Sequence, residues 1–228
     1  MNKYPEIATE RFDNAKLHIR YCLSFIKKYI KGNILEVGAG CGSFTKTYVS
    51  KKHDTISLTE LDPKNIKNLN FQFSNDKKIK IFQKNINEID GKFDSILYLH
   101  VLEHIEYDIA ELKHAVNKLK IGGHIIIMVP AHQNIYSNLD KAVGHFRRYD
   151  KKFFKKDLLG LERVKLISLD AIGYCLYFLN KLFFKEEVFP SKIKIFIWDK
   201  FFTPLTILLD FFLGYKYGKC ILAIYKKN

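Results

Sequence analysis

Two hydrophobic periods alternate along the chain. Short β-branched runs read as strands: "NILEVG" (33–38), "TISLTE" (55–60), "KIKIFQK" (78–84), "FDSILYLH" (93–100) and "HIIIMVP" (124–130). The first is apolar throughout, as a strand buried on both faces requires, while 78–84 alternates charged and apolar positions like an edge. Stretches of helical length separate these runs, and the N-terminal segment from about Phe12 to Lys31 reads as helix. The glycines of "LKIGG" are expected to end a helix that begins near Ile105.

Strands spaced by helices imply βαβ units, hence a mostly parallel sheet covered on both faces. Beyond residue 150 the pattern changes. "RVKLISLD" (163–170) and "KCILAIYKK" (219–227) add two strands, with very apolar helical segments at 171–184 and 192–213 between them. Breaks are expected at Pro190 and Pro204. No linker, repeat or low-complexity tract is visible, so residues 1–228 read as one domain: a core over 30–150 and C-terminal strands with apolar helices over 151–228.

Composition narrows the class. With 47% apolar residues among 228, the chain can bury a core, which excludes a disordered protein. Its formal charge of +14 rests mainly on lysine, a solvated point charge, and includes only five arginines. That sign favours anionic partners by steering. Cys22, Cys41, Cys175 and Cys220 show no metal or disulfide spacing. No secretory segment or bilayer-length apolar run is seen, so a cytoplasmic protein is expected.

The sharpest motif is "ILEVGAGCGSFT" (34–45), where a strand ends in Gly38, Gly40 and Gly42 and a helix opens. Glycines there let the backbone turn tightly and approach a ligand. Glu60, eighteen residues beyond Gly42, can accept both hydroxyls of a ribose. The pattern is G-x-G-x-G, and Glu36 precedes it; an acid beside a pyrophosphate site would repel it. The same acid suits a ligand carrying an ammonium and a sulfonium, or can anchor the loop through backbone amides. Electrostatics therefore favours S-adenosylmethionine (SAM) over NAD.

From about residue 30 to 150 the sequence resembles the class I SAM-dependent methyltransferases. "LEVGAGCG" is similar to their first motif, "LTELDP" to the acidic second-strand motif, "FQKNINEI" to the adenine-contacting segment and "FDSILYLHVLEHI" to the fourth strand. The resemblance implies a Rossmann-like α/β fold with a mostly parallel seven-stranded sheet and a helical insertion before the last strand. It also implies a SAM site lined by Glu36, Gly38, Ala39, Gly40, Gly42, Glu60, Leu61, Asn85, Ile86, Leu99 and His100, releasing S-adenosylhomocysteine. Where the family usually has Asp, this chain has Asn85, whose carbonyl can still accept from the adenine amine.

Two segments carry candidate chemistry. In "HVLEHI", His100 and His104 bracket Glu103; they could ligate a metal from one helical face, but the reading adopted is a helix start with Glu103 answering the helix dipole, and no metal is assigned. "VPAHQNIYSNLDKAVGHFRRYDKKFF" resembles a bacterial and archaeal subgroup associated with surface-polysaccharide or glycolipid synthesis, whose pattern ends G-H-x-R-R-Y. His145 is a candidate general base, oriented by Asp140. Arg147, Arg148 and Tyr149 either contact the acceptor or fasten the loop. Lys151, Lys152, Lys155 and Lys156 read as a solvated helix face.

The expected function is O-methylation of a sugar, glycan or lipid-linked acceptor. A nucleic-acid methyltransferase is the alternative, but the chain lacks N-P-P-Y after the fourth strand and a Pro-Cys nucleophile, and its lysines are not interleaved with aromatic platforms. A non-catalytic SAM-fold module is the third reading. The apolar helices at 171–213 read as sheet cover, with a lid, a homodimer interface and a peripheral membrane contact as the other roles.

Overall fold

The computed structural model describes residues 14–155, 157–183 and 191–228. Seven strands form one sheet: β1 (Asn33–Val37), β2 (Thr55–Thr59), β3 (Ile79–Phe82), β4 (Phe93–Leu99), β5 (Leu119–Pro130), β6 (Glu162–Leu169) and β7 (Cys220–Lys226). Their order is β3-β2-β1-β4-β5-β7-β6, and only β7 runs antiparallel to its neighbours. This is the Rossmann-like methyltransferase fold expected from the sequence. The order reverses between β1 and β4, which opens a crevice at the carboxyl ends of the strands, where open α/β sheets bind ligands.

Helices α1 (Lys16–Ser24), α2 (Ser43–Tyr48), α3 (Pro63–Gln72), α4 (Asp108–Lys118), α5 (Asn138–Ala142), α6 (Lys151–Lys155) and α7 (Ala171–Phe183) accompany the sheet. Near the C-terminus come α8 (Lys192–Ile197) and α9 (Thr203–Phe212). The central strands are buried on both faces because each face carries its own apolar layer. Leu35, Ile96, Tyr98, Ile125 and Ile127 belong to one, and Ile34, Leu97, Ile126, Met128 and Leu222 to the other.

Three boundaries differ from expectation. The N-terminal helix ends at Ser24, and a 3-10 turn (Lys27–Tyr29) then lets Ile26 and Ile30 drop into the core; Phe12 and Asp13 lie outside the described residues. The glycines of "LKIGG" do not terminate a helix. Helix α4 stops at Lys118 and the glycines belong to β5, where Gly122 N donates to Lys227 O and Lys227 N donates to Gly123 O. A Cβ on Gly123 would stand 3.0 Å from the Asp94 carbonyl, so the residue is set by close strand approach. Pro204 does not break its segment either. A π turn (Trp198–Phe202) joins α8 to α9, and Pro204 falls in the first turn of α9. Pro190 lies outside the described residues.

The α8–α9 rod is amphipathic in the inverted sense. Apart from Ile195, its buried positions, Asp199, Thr203, Thr206 and Asp210, are polar, while Ile193, Phe196, Phe201, Leu205, Leu208, Phe211 and Phe212 face outward. The spacing of four, three and four keeps the polar stripe on one helical face. Each acid answers orphan amides at another helix start. Asp199 Oδ1 accepts from Leu17 N and His18 N at 3.0 and 2.9 Å, in the first turn of α1. Asp210 accepts from Asp170 N (2.7 Å) and Ala171 N (2.9 Å) at the start of α7, and from Tyr21 Oη at 2.7 Å. Among the described residues, no helix is long and apolar enough to cross a membrane.

Candidate active site

The glycine loop follows β1 at the reversal point. Gly38, Gly40 and Gly42 have φ of +65°, +57° and +80°, the left-handed region that side chains avoid. Space enforces the choice at Gly38, where a Cβ would come 2.8 Å from both Val101 methyls. Ala39 N donates to Thr59 O, tying the loop to β2.

Beneath the loop, Glu36 is buried and accepts 2.6 Å hydrogen bonds from Thr45 Oγ1 and Tyr48 Oη, both on α2. It therefore holds the helix through side-chain hydroxyls, not the loop through backbone amides. Burial pushes its carboxyl up to about 7, against the lowering effect of the two hydroxyls.

Glu60 stands beside the loop at the end of β2. Its Oε2 accepts from Gly40 N at 2.7 Å, and its Oε1 from Leu61 N and Asp62 N at 2.8 and 3.0 Å. Three of roughly four acceptor sites on a carboxylate are thereby engaged. One acceptor position remains open. Leu61 is exposed, while Ile86 and Leu99 are buried. Asn85 is exposed after β3 and shares a reciprocal cap with Glu88, its Nδ2 donating to Glu88 Oε2 at 3.2 Å. His100 ends β4 with φ of +59° and donates its backbone N–H to Met128 O, its ring 6.3 Å from that of Phe44. All these residues collect at the carboxyl ends of β1 to β4.

The segment that follows β5 is built around Asp140. This carboxylate is 1% exposed and lies 2.7 Å from His145 Nδ1. It also accepts from Arg148 Nε (3.0 and 2.9 Å), Ser137 N (2.9 Å), Ser137 Oγ (3.0 Å) and Tyr177 Oη (3.2 Å). Burial alone would favour the neutral acid, but the His145 hydrogen bond and the Arg148 charge hold its pKa far below the usual carboxylate range. An Asp140 acceptor on Nδ1 fixes the imidazole tautomer and leaves Nε2 directed away.

Arg147, Arg148 and Tyr149, for which acceptor contact and loop fastening were both open, each have partners within the protein. Arg148 is buried against Asp140 and reaches Ala131 O at 3.3 Å. Arg147 Nη1 pairs with Asp108 Oδ2 at 2.7 Å and its Nη2 donates to Glu106 O at 2.7 Å. Buried Tyr149 donates to Asp108 Oδ2 at 2.8 Å and Leu102 O at 3.2 Å. All three fasten the loop to β5 and to the start of α4. Lys151 is likewise engaged, donating to Tyr215 O and Lys216 O, whereas Lys152 is exposed. The side chains of Lys155 and Lys156 lie outside the described residues.

"HVLEH" also differs from expectation. Residues Leu102–His104 form a 3-10 turn and α4 begins only at Asp108, so His100 and His104 share no helical face and Glu103 does not serve a helix dipole. Instead Glu103 is fully buried, with neither carboxylate oxygen hydrogen-bonded. His100 Nδ1 lies 3.5 Å and His145 Nε2 3.9 Å from its Oε1. Sequence reasoning missed Tyr177 because the apolar run "YCLYFLN" carries no local sign that its hydroxyl turns inward.

Comparison with known proteins agrees with this geometry. A family model described as "Methyltransferase domain" matches residues 12–163. No protein of curated function matches the chain. Among solved structures, the N-methyltransferase NodS from Bradyrhizobium japonicum WM9 in complex with S-adenosylhomocysteine is 15% identical over 95% of this chain and 87% of its own, with a TM-score of 0.58. Coclaurine N-methyltransferase is 13% identical over 93% and 72%, with a TM-score of 0.64. The [4+2]-cyclase SpnF is 10% identical over 91% and 80%, with a TM-score of 0.60. Likeness at such identity concerns the fold, and the cyclase shows that one fold hosts other chemistry.

The Glu36 carboxyl predicts a pH dependence. Its folded pKa lies near 7 against an ordinary 4.5, so the folded state binds the proton more tightly than the unfolded one. Its stability contribution is complete below the ordinary value and is lost as pH rises through the folded one. Glu36→Gln keeps an acceptor for both hydroxyls. Urea unfolding should therefore find the variant more stable than the parent at pH ~8, by on the order of 3 kcal/mol, with the gap closing towards pH ~4.5. A gap independent of pH would contradict the assignment.

Proposed function

Because the chain belongs to the family of methyltransferase domains and is a SAM-dependent enzyme, we propose that its acceptor is a hydroxyl of a sugar, glycan or lipid-linked saccharide. The observation that carries this is the His145–Asp140 pair at 2.7 Å, a preset proton acceptor at the end of the sheet that faces the glycine loop. Proton removal matters for a hydroxyl, which is a poor nucleophile until its proton can leave. The likeness of the Gly144–Tyr149 segment to polysaccharide-associated methyltransferases supports the same acceptor class.

The donor set suits SAM. The loop from Gly38 to Thr45 carries no cationic side chain for a pyrophosphate, and Glu36 lies beneath it. Glu60 retains acceptor capacity for a ribose hydroxyl, and Asn85 offers an exposed amide towards adenine. Gly38, Ala39, Gly40 and Gly42 would take the methionine part, with Leu61, Ile86, Leu99 and His100 around the nucleoside. Bound SAM supplies an electrophilic methyl group with its own leaving group. The chain's own contribution is alignment of the acceptor and removal of one proton onto His145 Nε2, while Asp140 stabilises the imidazolium through Nδ1.

Glu60→Ala should weaken SAM binding by at least about 100-fold in calorimetry, since it removes both the ribose acceptor and the tie to Gly40. Unchanged affinity would exclude the assigned cofactor site. His145→Ala should lower kcat by about 10²–10⁴ while leaving SAM affinity within a few-fold. Equal turnover would remove His145 as the base. Radiolabelled SAM offered with nucleotide sugars, lipid-linked glycans and RNA should label the saccharides; label in RNA alone would favour the nucleic-acid reading.

A lipid-linked acceptor also accounts for the outward apolar face of α8–α9. Phe212 is 73% and Ile193 71% exposed, and Lys192, Lys194, Lys200 and Lys216 are exposed in the same segment. Aromatic and aliphatic side chains beside lysines on a chain of charge +14 match the interface of an anionic leaflet. The protein should co-sediment with phosphatidylglycerol vesicles, and Phe211→Ser with Phe212→Ser should abolish this. Absence of sedimentation, or a dimer that loses dissociation resistance in the same double variant, would assign the face to a second copy instead.

A further inference from the structure

The carboxylate of Glu103 is buried without a hydrogen-bond donor, and burying an ion in that state is costly. Its side chain is 1% exposed, and both its oxygens lack hydrogen-bond donors. Around it stand His104 and His145, their rings edge to face with centroids 4.6 Å apart. One ligand-type atom from each of Glu103, His104 and His145 lies within 4.8 Å of the others.

We propose that Glu103, His104 and His145 form a three-ligand site for a divalent transition-metal ion, facing the acceptor. Two imidazoles and one carboxylate are the donor set of borderline cations such as Zn²⁺, Fe²⁺ or Co²⁺, and leave coordination positions open to an acceptor oxygen. Mg²⁺ and Ca²⁺ prefer oxygen ligands alone.

The surroundings fit that role. Ligating histidines donate their second ring nitrogen to a carboxylate or a backbone group, which fixes ring and tautomer. His145 does so to Asp140 at 2.7 Å, and the His104 ring is hydrogen-bonded to the backbone of Gly144. Glu103 and His104 sit on a 3-10 turn, and Phe146 N donates to Glu103 O at 2.8 Å, which ties the His145 segment to that turn.

A proton and a cation compete for the same lone pair of His145 Nε2. The base described above and the ligand are two occupancies of one atom, so the inference stands apart from the SAM site. Chelator-stripped protein titrated with Co²⁺ should bind one equivalent, saturably, with visible bands lacking thiolate charge transfer. Glu103→Gln and His104→Gln should each weaken binding at least about tenfold. His114→Ala, on the exposed face of α4, should not. Calorimetry with SAM on the same variants should give parental affinity, showing that they fold and separating this result from the methyltransferase reading. If Glu103→Gln fails to fold by circular dichroism, His104→Gln decides. Absence of saturable Co²⁺ binding, binding undiminished in the folded variants, or a thiolate signature would overturn the site.

Discussion

The segment that follows β5 is organised by one buried carboxylate. Asp140 receives donors from Ser137, His145, Arg148 and Tyr177, which come from the segment after β5 and from α7. Without it Arg148 would be an unpaired buried cation, and the imidazole of His145 would lose its orientation. Arg147 and Tyr149 complete the clamp by reaching Asp108 at the start of α4. The loop between β5 and α6 is thus an ordered wall made of charges that satisfy one another.

The fold was legible because its signals are local. β-branched runs, helical spacers and three glycines sit in the chain in the order in which the sheet uses them. Boundaries were harder where tertiary contacts overrule local habit. The glycines at 122 and 123 read as a helix stop, yet they serve a strand because Lys227, more than a hundred residues away, pairs with them. Pro204 read as a break, but a preceding π turn accommodates it.

The site was legible to a different depth. The nearness of Asp140 and His145 follows from a short helix that brings positions five apart together, and such spacing is visible in sequence. The engagement of Arg147 and Arg148 was not, because their partners, Asp108 and a buried Asp140, depend on how the chain returns over β4. Glu103 was misread for a related reason. Whether an acid caps a helix or sits unpartnered in a core depends on where the helix starts, and the 3-10 turn moved that start beyond it.

The α8–α9 rod has one more consequence, for how the chain is made. Asp199 supplies the missing partners for the first amides of α1, and Asp210 fastens Tyr21 in the same helix. Contacts spanning 181 and 189 positions therefore complete the start of α1 and fasten its middle. During vectorial synthesis, α1 must wait with its opening turn uncapped until α8 and α9 have left the ribosome. The α8–α9 rod acts as the closing step for α1, which becomes secure only after the rod has arrived.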